Sequence, residues 1–358
     1  MRKPLSYSLA TLALALFSGL SSAQSEAPSG APLAEHIATV IEAQPIKRVD
    51  PKYPPTSARK SQEGWVKVSF VINKDGEVED PVVQDSSGLK AFEKATLRAV
   101  KRWQYSPAIQ DGEAIQQCRN MVQIDFRLAG SSGVTRKFMR RYKAVSEAIT
   151  NKDLPLAAEL IAEMRDDQLW NHTESAYFWL ADSYYAKATD DTARELKSVR
   201  RALAVDTDAV RTSTKQYLLE REFVLSINES EYNEAMKAYD KLEKIADEKP
   251  EQLAQLAPYA EKVKELVQGN EPMIRKASIN EDGRVFHQLS RNAFALDIAE
   301  GDLDEVQIRC DNKLSRYTAV SKSQWHIPSS WGQCSVYVSG SPGAQFEVVE
   351  VGDYIGEI

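Results

Sequence analysis

Cysteine and histidine are scarce in this chain, which has 3 cysteines and 4 histidines among 358 residues. There is no CxxC pair, and the histidines have none of the spacings typical of a metal site; they are His36, His172, His287 and His326. A GxSxG nucleophile motif, a Walker loop and a GxGxxG dinucleotide motif are also missing. The sequence therefore predicts no metal site, no cofactor and no catalytic residues, and we expect a protein that is not an enzyme.

A basic excess is missing too. The chain has 45 Lys and Arg against 52 Asp and Glu, for a net charge of −7, and its basic residues are scattered. Because proteins that bind nucleic acid usually carry a concentrated basic patch, nucleic acid is not an expected partner. With 358 residues the chain is also longer than one ordinary domain, so about two to three domains are expected.

Apart from Leu9–Leu20, near the start, we find no long apolar run. Arg2 and Lys3 precede this run and Ser21-Ser22-Ala23 follows it, a pattern typical of a signal peptide cleaved after Ala23. The run is shorter than the roughly 20 residues of a membrane-spanning helix. We therefore expect export to the periplasm; an uncleaved run would instead anchor the chain in the inner membrane.

The most informative pattern begins with a predicted hairpin. From Val66 to Ile72 every second residue is apolar, the period of a strand with one buried face. The turn residues Asn73-Lys74-Asp75-Gly76 and a second extended stretch, Val78–Val83, follow. The sequence thus predicts two antiparallel strands.

A helix and a last strand complete this unit. From Leu89 to Trp103 apolar residues recur at intervals of three and four, which predicts an amphipathic helix that Pro107 ends. Alternation resumes at Val122–Leu128. The predicted order is strand, strand, helix, strand.

Several motifs in this unit resemble the C-terminal domain of TonB, the protein that carries inner-membrane energy to outer-membrane receptors. The motifs are Tyr53-Pro54, Gly64-Trp65-Val66-Lys67-Val68-Ser69-Phe70-Val71-Ile72, Asp75-Gly76-Glu77-Val78, Ser86-Ser87-Gly88 and Ala99-Val100-Lys101-Arg102-Trp103-Gln104-Tyr105-Ser106-Pro107-Ala108. The resemblance implies a periplasmic binding module.

The resemblance also implies a binding site. In the TonB family a short receptor segment, the TonB box, is held by the last strand, since an exposed edge strand can pair with an extended peptide. Carried over to this sequence, the peptide-binding strand is Val122, Gln123, Ile124, Asp125, Phe126, Arg127 and Leu128, and the second contact segment includes Gln44, Pro45, Tyr53 and Pro54. We expect Ile124→Pro to abolish this pairing. The alternative is an edge strand and an N-terminal arm without a partner.

Two features depart from an energy-transducing TonB. The first histidine, His36, lies outside the apolar run, and the spacer from Gln24 to Gln44 is short. Fully extended, that spacer would reach only about 70 to 75 Å. A periplasmic adaptor fits better than a chain that transmits force itself. The implied partners are a TonB-dependent outer-membrane receptor and ExbB/ExbD-type or other components of a TonB system.

The composition changes after Ala129, and residues 135–270 predict helices in pairs. Phrases such as Tyr232-Asn233-Glu234-Ala235 and the length of the period resemble tetratricopeptide (TPR) repeats, whose stacked hairpins bind peptides or proteins. The alternative is that the aromatic residues only pack between helices. The predicted pairs are Arg136–Ile149 with Leu154–Arg165, Glu174–Ala188 with Thr192–Val205, and Ala209–Ile227 with Glu231–Ala246, followed by Gln252–Val267.

The tail, residues 271–358, predicts a small sandwich or barrel of short strands separated by Gly and Pro turns. Cys310 and Cys334 both lie in predicted strands, and a disulfide between them is the simplest pairing in an oxidising compartment. Cys118 is left over, as a buried small side chain or, alternatively, a reactive thiol or an intermolecular bridge.

Together these patterns predict an α+β multidomain protein. The expected organisation is signal peptide 1–23, linker 24–43, TonB C-terminal-like β-β-α-β domain 44–128, linker 129–134, TPR-like helical domain 135–270 and β-rich domain 271–358. Two functions fit: a periplasmic protein that binds outer-membrane receptors and supports energy-dependent transport, or an envelope scaffold that uses the same modules to bind proteins or peptidoglycan.

Overall fold

A computed structural model of the chain describes residues 40–129, 133–167, 171–205, 210–245 and 250–356. The predicted signal peptide, 1–23, and most of the predicted linker, 24–43, lie outside these ranges. None of the helices within them is long and apolar enough to cross a membrane. The described residues build an N-terminal α/β region, a helical region and a C-terminal β region within one compact unit.

The N-terminal region has the predicted strand, strand, helix, strand order, with short additional elements. These elements are β1 (Val40–Ile41), β2 (Pro45–Lys47), α1 (Pro55–Arg59), β3 (Gly64–Ile72), β4 (Val78–Ser86), α2 (Lys90–Val100), β5 (Gln104–Tyr105), β6 (Ala108–Gln110), β7 (Glu113–Ile115) and β8 (Gln117–Phe126). The main sheet is antiparallel in the order β4-β3-β8, and smaller sheets join β1, β6 and β7 and pair β2 with β5. Strand β1 falls within the segment expected to be a linker.

The alternation of β3 explains how its sheet packs. Val66, Val68 and Phe70 are buried on the side of α2, since they cluster with side chains of that helix. Helix α2 ends at Val100, and the N–H of Trp103 already closes a turn onto the carbonyl of Val100 at 3.0 Å. The prediction that Pro107 ends this helix is therefore wrong, because the chain leaves the helix several residues earlier to form β5.

The helical region consists of consecutive helices joined by short turns, close to the predicted boundaries. The helices are α3 (Arg136–Thr150), α4 (Leu154–Asp167), α5 (His172–Ala188), α6 (Thr192–Leu203), α7 (Thr212–Asn228), α8 (Tyr232–Ile245) and α9 (Pro250–Gln268). Three of the turns repeat one conformation: Lys152, Asp190 and Ser230 have φ values of 60°, 55° and 56°. Each left-handed residue lets the chain reverse within a few residues, so that consecutive helices pack against each other.

The C-terminal region contains two antiparallel four-stranded sheets. Its strands are β9 (Met273–Ser278), β10 (Arg284–Gln288), β11 (Arg291–Glu300), β12 (Leu303–Cys310), β13 (Leu314–Thr318), β14 (Gln324–His326), β15 (Cys334–Gly340) and β16 (Gln345–Tyr354). The sheet orders are β10-β15-β12-β13 and β14-β11-β16-β9, and one apolar core that includes Phe294, Val306 and Phe346 joins them. This is the sandwich alternative of the sequence prediction.

The second face of the β4-β3-β8 sheet is covered by the rest of the chain. Trp65, which is 1% exposed, clusters with Ala176 of α5. The hydroxyl of Tyr337 on β15 donates to the Ser69 hydroxyl oxygen at 3.1 Å. The sheet is thus enclosed between α2 on one side and the helical and C-terminal regions on the other.

Candidate functional site: the β8 edge strand

Strand β8 lies at the edge of its sheet, where a peptide-binding strand is expected. It pairs only with β3 within the sheet, in an antiparallel register that sets Gln123 opposite Lys67 and Asp125 opposite Trp65. The structure thus gives β8 a long side that no strand of its own sheet covers.

The direction in which the main-chain N–H and C=O groups of β8 point follows from the way β3 bonds on its other side, towards β4. The carbonyl of Trp65 accepts from the N–H of Ser87, and the N–H of Trp65 donates to the Ser87 hydroxyl, so Trp65 directs both groups towards the side of β4. Residues opposite each other in antiparallel strands alternate between hydrogen-bonded and non-hydrogen-bonded pairs. The pairs of Trp65 with Asp125 and, two residues on, of Lys67 with Gln123 are therefore non-hydrogen-bonded.

By the same alternation, the N–H and C=O groups of Met121, Gln123 and Asp125 point away from β3, towards the open side of the edge. Within the described part of the chain these main-chain groups have no hydrogen-bond partner. These three residues, at alternate positions along the strand, can therefore pair with an extended peptide. Ile124, by contrast, directs its N–H towards β3, so Ile124→Pro would break the pairing with β3 and would not by itself test peptide binding.

The side chains of β8 divide between two faces. Val122, Ile124 and Phe126 pack into the core beneath α2, where the Phe126 ring stacks on Phe92 with centroids 4.2 Å apart. Met121, on the opposite face, is 47% exposed. Side chains on the core face therefore hold the strand in place, whereas on the opposite face Met121 is exposed and Gln123 contacts the helical region.

The start of β8 is already occupied. The N–H of Cys118 donates to the carbonyl of Asp311 at 3.1 Å, and Arg119 pairs with the Asp311 carboxylate at 2.9 Å. Further along, the side-chain amide of Gln123 donates to the carbonyl of Ala204 at 2.8 Å. The C-terminal region therefore holds the start of β8, and the helical region contacts the side chain of Gln123 within the open stretch.

The strand ends earlier than predicted. Arg127 and Leu128 follow β8 and do not belong to it. The N–H of Leu128 donates to Glu63 at 2.6 Å, and the same carboxylate accepts from the N–H of His172 at 2.8 Å. These two residues of the predicted binding strand therefore lie where the sheet meets the start of α5.

The predicted second contact segment is divided between two places. Gln44 and Pro45 lie beside β5, since the Gln44 carbonyl accepts from Ser106 at 2.8 Å and Pro45 pairs with Tyr105. Tyr53 instead packs edge-on against Phe126, with ring centroids 5.7 Å apart. The structure thus brings Tyr53 to the core side of β8 and does not bring Gln44 and Pro45 to its open side.

Tyr53 is partly buried and packs against the core. Its hydroxyl donates to the carbonyl of Gln62. Burial, together with the charge of Glu63, raises the pKa of Tyr53 to about 12. Pro54 follows directly and precedes the first turn of α1. Tyr53 therefore supports β8 from the side of α2.

The cysteines divide as the simplest pairing predicts. Cys310 and Cys334 form a disulfide between adjacent strands of the C-terminal region. Cys118 is a free thiol and is buried, and burial raises its pKa to about 12. The described residues hold no cluster of three or more His, Cys, Asp or Glu side chains suited to a metal ion.

Sequence reasoning does not find the contacts that fix the sheet to the rest of the chain. The Arg201 side chain of α6 donates three hydrogen bonds to the Asp85 carboxylate of β4. Its Nε donates to both carboxylate oxygens, and its Nη2 donates to one of them at 2.6 Å. Asp80 of the same strand pairs with Arg316 of β13. The only local signal is Asp80-Pro81, since proline inside a strand indicates an irregular edge.

Comparison with known proteins matches the N-terminal region to one protein family. The family model for the C-terminal region of Gram-negative bacterial TonB proteins matches residues 49–128. This confirms the predicted TonB resemblance for that stretch. Residues 129–358 lie outside the match, and the tetratricopeptide resemblance of the helical region stays a prediction.

Curated relatives match the same part of the chain. Protein tonB2 of Pseudomonas aeruginosa is 36% identical over 78 residues, which cover 22% of this chain and 28% of that protein. Protein TonB of Vibrio cholerae is 31% identical over 83 residues, or 23% of this chain and 34% of the relative. Protein TonB of Escherichia coli is 29% identical over 89 residues, or 25% of this chain and 35% of the relative. The chain thus spans about a third or less of the length of these relatives.

Two solved structures also match. The solution NMR structure of the Pseudomonas aeruginosa TonB C-terminal domain has a TM-score of 0.24 and 24% identity, and the match covers 25% of this chain and 91% of that one. The structure of the TonB2 protein of Vibrio anguillarum has a TM-score of 0.21 and 30% identity, and the match covers 34% of this chain and 99% of that one.

Proposed function

We propose that this chain is an exported, TonB-like binding protein that supports energy-dependent transport across the outer membrane. In this proposal the open edge of β8 pairs with an extended segment, the TonB box or plug, of a TonB-dependent outer-membrane receptor. The observation that carries it is the outward direction of the main chain at Met121, Gln123 and Asp125, which offers donors and acceptors to an added strand.

The family match over residues 49–128 supports the choice of a receptor peptide as the ligand. Further partners are ExbB/ExbD-type or other components of a TonB system, which TPR-like stacking of the helical hairpins would contact through a concave face. Nucleic acid does not suit a chain of net charge −7. Strand pairing requires no cofactor and no catalytic group.

A second candidate is a periplasmic envelope scaffold that binds proteins or peptidoglycan. One observation favours it: the second face of the β4-β3-β8 sheet is covered by the same chain, through Trp65 and Ser69, and β8 starts with a bond to Asp311. A domain held in this way is suited to organising an assembly. Deletion should then alter envelope integrity and leave receptor-dependent uptake unchanged, whereas a transport role requires the opposite result.

Calorimetric titration of the chain from Gln24 onward with TonB-box and plug peptides of the same cell tests the favoured proposal. We expect saturable binding in the micromolar range. No detectable binding of any peptide in the panel, with the protein shown to be folded by circular dichroism, would reject peptide recognition by β8.

Two substitutions at one position then map the site. Gln123→Pro removes the outward N–H of an edge strand, a position where proline is tolerated, and should abolish binding. Gln123→Ala is the matched control, because it removes the same bond to the Ala204 carbonyl and keeps the main-chain donor. Equal affinity of both variants would reject pairing along β8.

A further inference from the structure

A cleft lies at the other edge of the same sheet. It has a volume of about 570 Å³ and separates β4 from the outward face of the β10-β15-β12-β13 sheet. Asp80 and Pro81 line it on the β4 side, and Arg284, Arg309 and Tyr337 line it on the opposite sheet. The cleft has the size of a small-molecule site, which typically measures about 300 to 1,000 Å³.

The charges in this cleft do not balance. Four cations line it, Lys101, Arg284, Arg309 and Arg316, against two carboxylates, those of Asp80 and Glu305. Arg316 pairs with Asp80. Within the described ranges, the other three cations form no ion pair with a carboxylate. An acidic protein of net charge −7 thus concentrates positive charge at one place.

Arg309 is the buried member of these four cations. It is 1% exposed, and its guanidinium lies 4.3 Å from the ring centroid of Tyr337. Its Nε donates to Gln307 at 2.7 Å and its Nη2 to the main-chain carbonyl of Asp80 at 3.1 Å, so both acceptors are neutral. Its Nη1 has no hydrogen-bond partner among the described residues.

Burial of a guanidinium that is not paired with a carboxylate is costly. Accordingly, desolvation is the largest influence on the pKa of Arg309 and lowers it, and the nearby Tyr337 and Asp80 offset this only in part. A nearby anion would offset the cost, since charges interact more strongly where water is partly excluded.

The backbone of the facing wall is held in an unusual conformation. Asp80 has a φ of 46°, a region that residues other than glycine rarely adopt, and it directs its carbonyl to Arg309. Such conformations cluster at binding sites, where surrounding contacts hold them in place. The wall and the buried arginine are thus fixed relative to each other.

We propose that this cleft binds a small ligand with at least two negative charges on oxygen, either a polycarboxylate or a phosphate. Lys101 and Arg284, both exposed, contact the charged groups, and Arg309 adds its charge from the wall. Arg316 remains paired with Asp80 and closes one side. The site is independent of β8, which lies on the opposite edge of the sheet.

Calorimetric titrations of the exported chain with citrate and with inorganic phosphate, at constant ionic strength, test this inference. We expect saturable binding of at least one of them. Arg284→Gln and Lys101→Gln should each weaken it about tenfold, as for the loss of one charge-assisted contact. Lys94→Gln is the matched control: Lys94 is also exposed, on α2, and does not line the cleft.

The outcomes are distinct. Binding of citrate alone identifies a carboxylate ligand, and binding of phosphate alone identifies a phosphate ligand. The absence of saturable binding for both anions overturns the proposal, as does equal affinity of the wild type and the Arg284→Gln/Lys101→Gln double variant. Arg309→Gln should also lose binding; if it does not fold, the exposed positions still decide.

Discussion

The main-chain N–H of Cys118 donates to the carbonyl oxygen of Asp311 at 3.1 Å. Asp311 follows β12 directly, so the C-terminal sandwich already pairs with the first residues of β8. A peptide can then add only along the second half of the strand, from Met121 to Asp125. Receptor recognition by this protein would therefore use a shorter edge than β8 as a whole provides.

We expect a bound peptide to slow amide hydrogen exchange at Met121, Gln123 and Asp125, because their N–H groups face the open side of β8. The amide of Cys118 should exchange slowly with and without peptide. Exchange followed by nuclear magnetic resonance in the presence and absence of a TonB-box peptide checks this. Loss of protection at Cys118 on binding would mean that the peptide displaces Asp311, contrary to the proposal.

Local periodicity is sufficient to predict most elements of this fold. The alternation from Val66 to Ile72 and the polar turns of the helical hairpins each determine a local conformation, and the structure has strands and helices there. Strands β10 and β13 are not evident from the sequence. Both are sheet edges with many exposed or partly exposed polar residues, so they lack a clear apolar alternation.

The candidate site is predictable only in part, because its boundaries depend on distant residues. Gln123 bonds to a carbonyl 81 positions away, and Arg119 bonds to a carboxylate 192 positions away. The alternation of Val122–Phe126 predicts a strand, but no local pattern predicts which regions of the chain will frame it. The basic cleft is unpredictable for the same reason, since Asp80 and Arg309 are 229 positions apart.

Arg201→Ala should lower the free energy of unfolding by about 1 to 3 kcal/mol, because it breaks a partly buried, charge-assisted contact between α6 and β4. Its side chain is 14% exposed, binds Asp85 at 2.6 Å and lies 4.6 Å from the ring centroid of Trp179. Urea denaturation measures the change.

The matched control for this substitution is Lys262→Ala. The Lys262–Glu265 pair is 76% and 69% exposed, so breaking it should change stability by less than about 0.5 kcal/mol. If the two variants lose the same stability, Arg201 does not hold the helical region to the sheet.

Arg291→Met should destabilise the chain by about 2 to 4 kcal/mol, since it leaves buried carbonyl groups without a donor. Arg291 is fully buried and donates to the carbonyls of Leu266 and Val267 at the end of α9, at 2.7 and 3.1 Å, and to Glu271 at 2.6 Å. Thermal and urea unfolding measure the loss. The exposed Lys276→Met on β9 should change little, and an equal effect of both substitutions would contradict this role.

The Cys118 thiol should resist a thiolate-specific reagent in the folded protein. It is 1% exposed, and burial raises its pKa from 9.0 to about 12. Because the folded pKa is above the unfolded one, the buried thiol's contribution to stability is complete below pH 9 and is lost as the pH rises towards 12.

At a pH of about 8 we expect no labelling of the folded chain by Ellman's reagent. The unfolded chain should show one thiol, and three after reduction, given 3 cysteines and the Cys310–Cys334 disulfide. Cys118→Ala should remove the single thiol of the unreduced chain; labelling of the folded wild type would contradict the burial of Cys118.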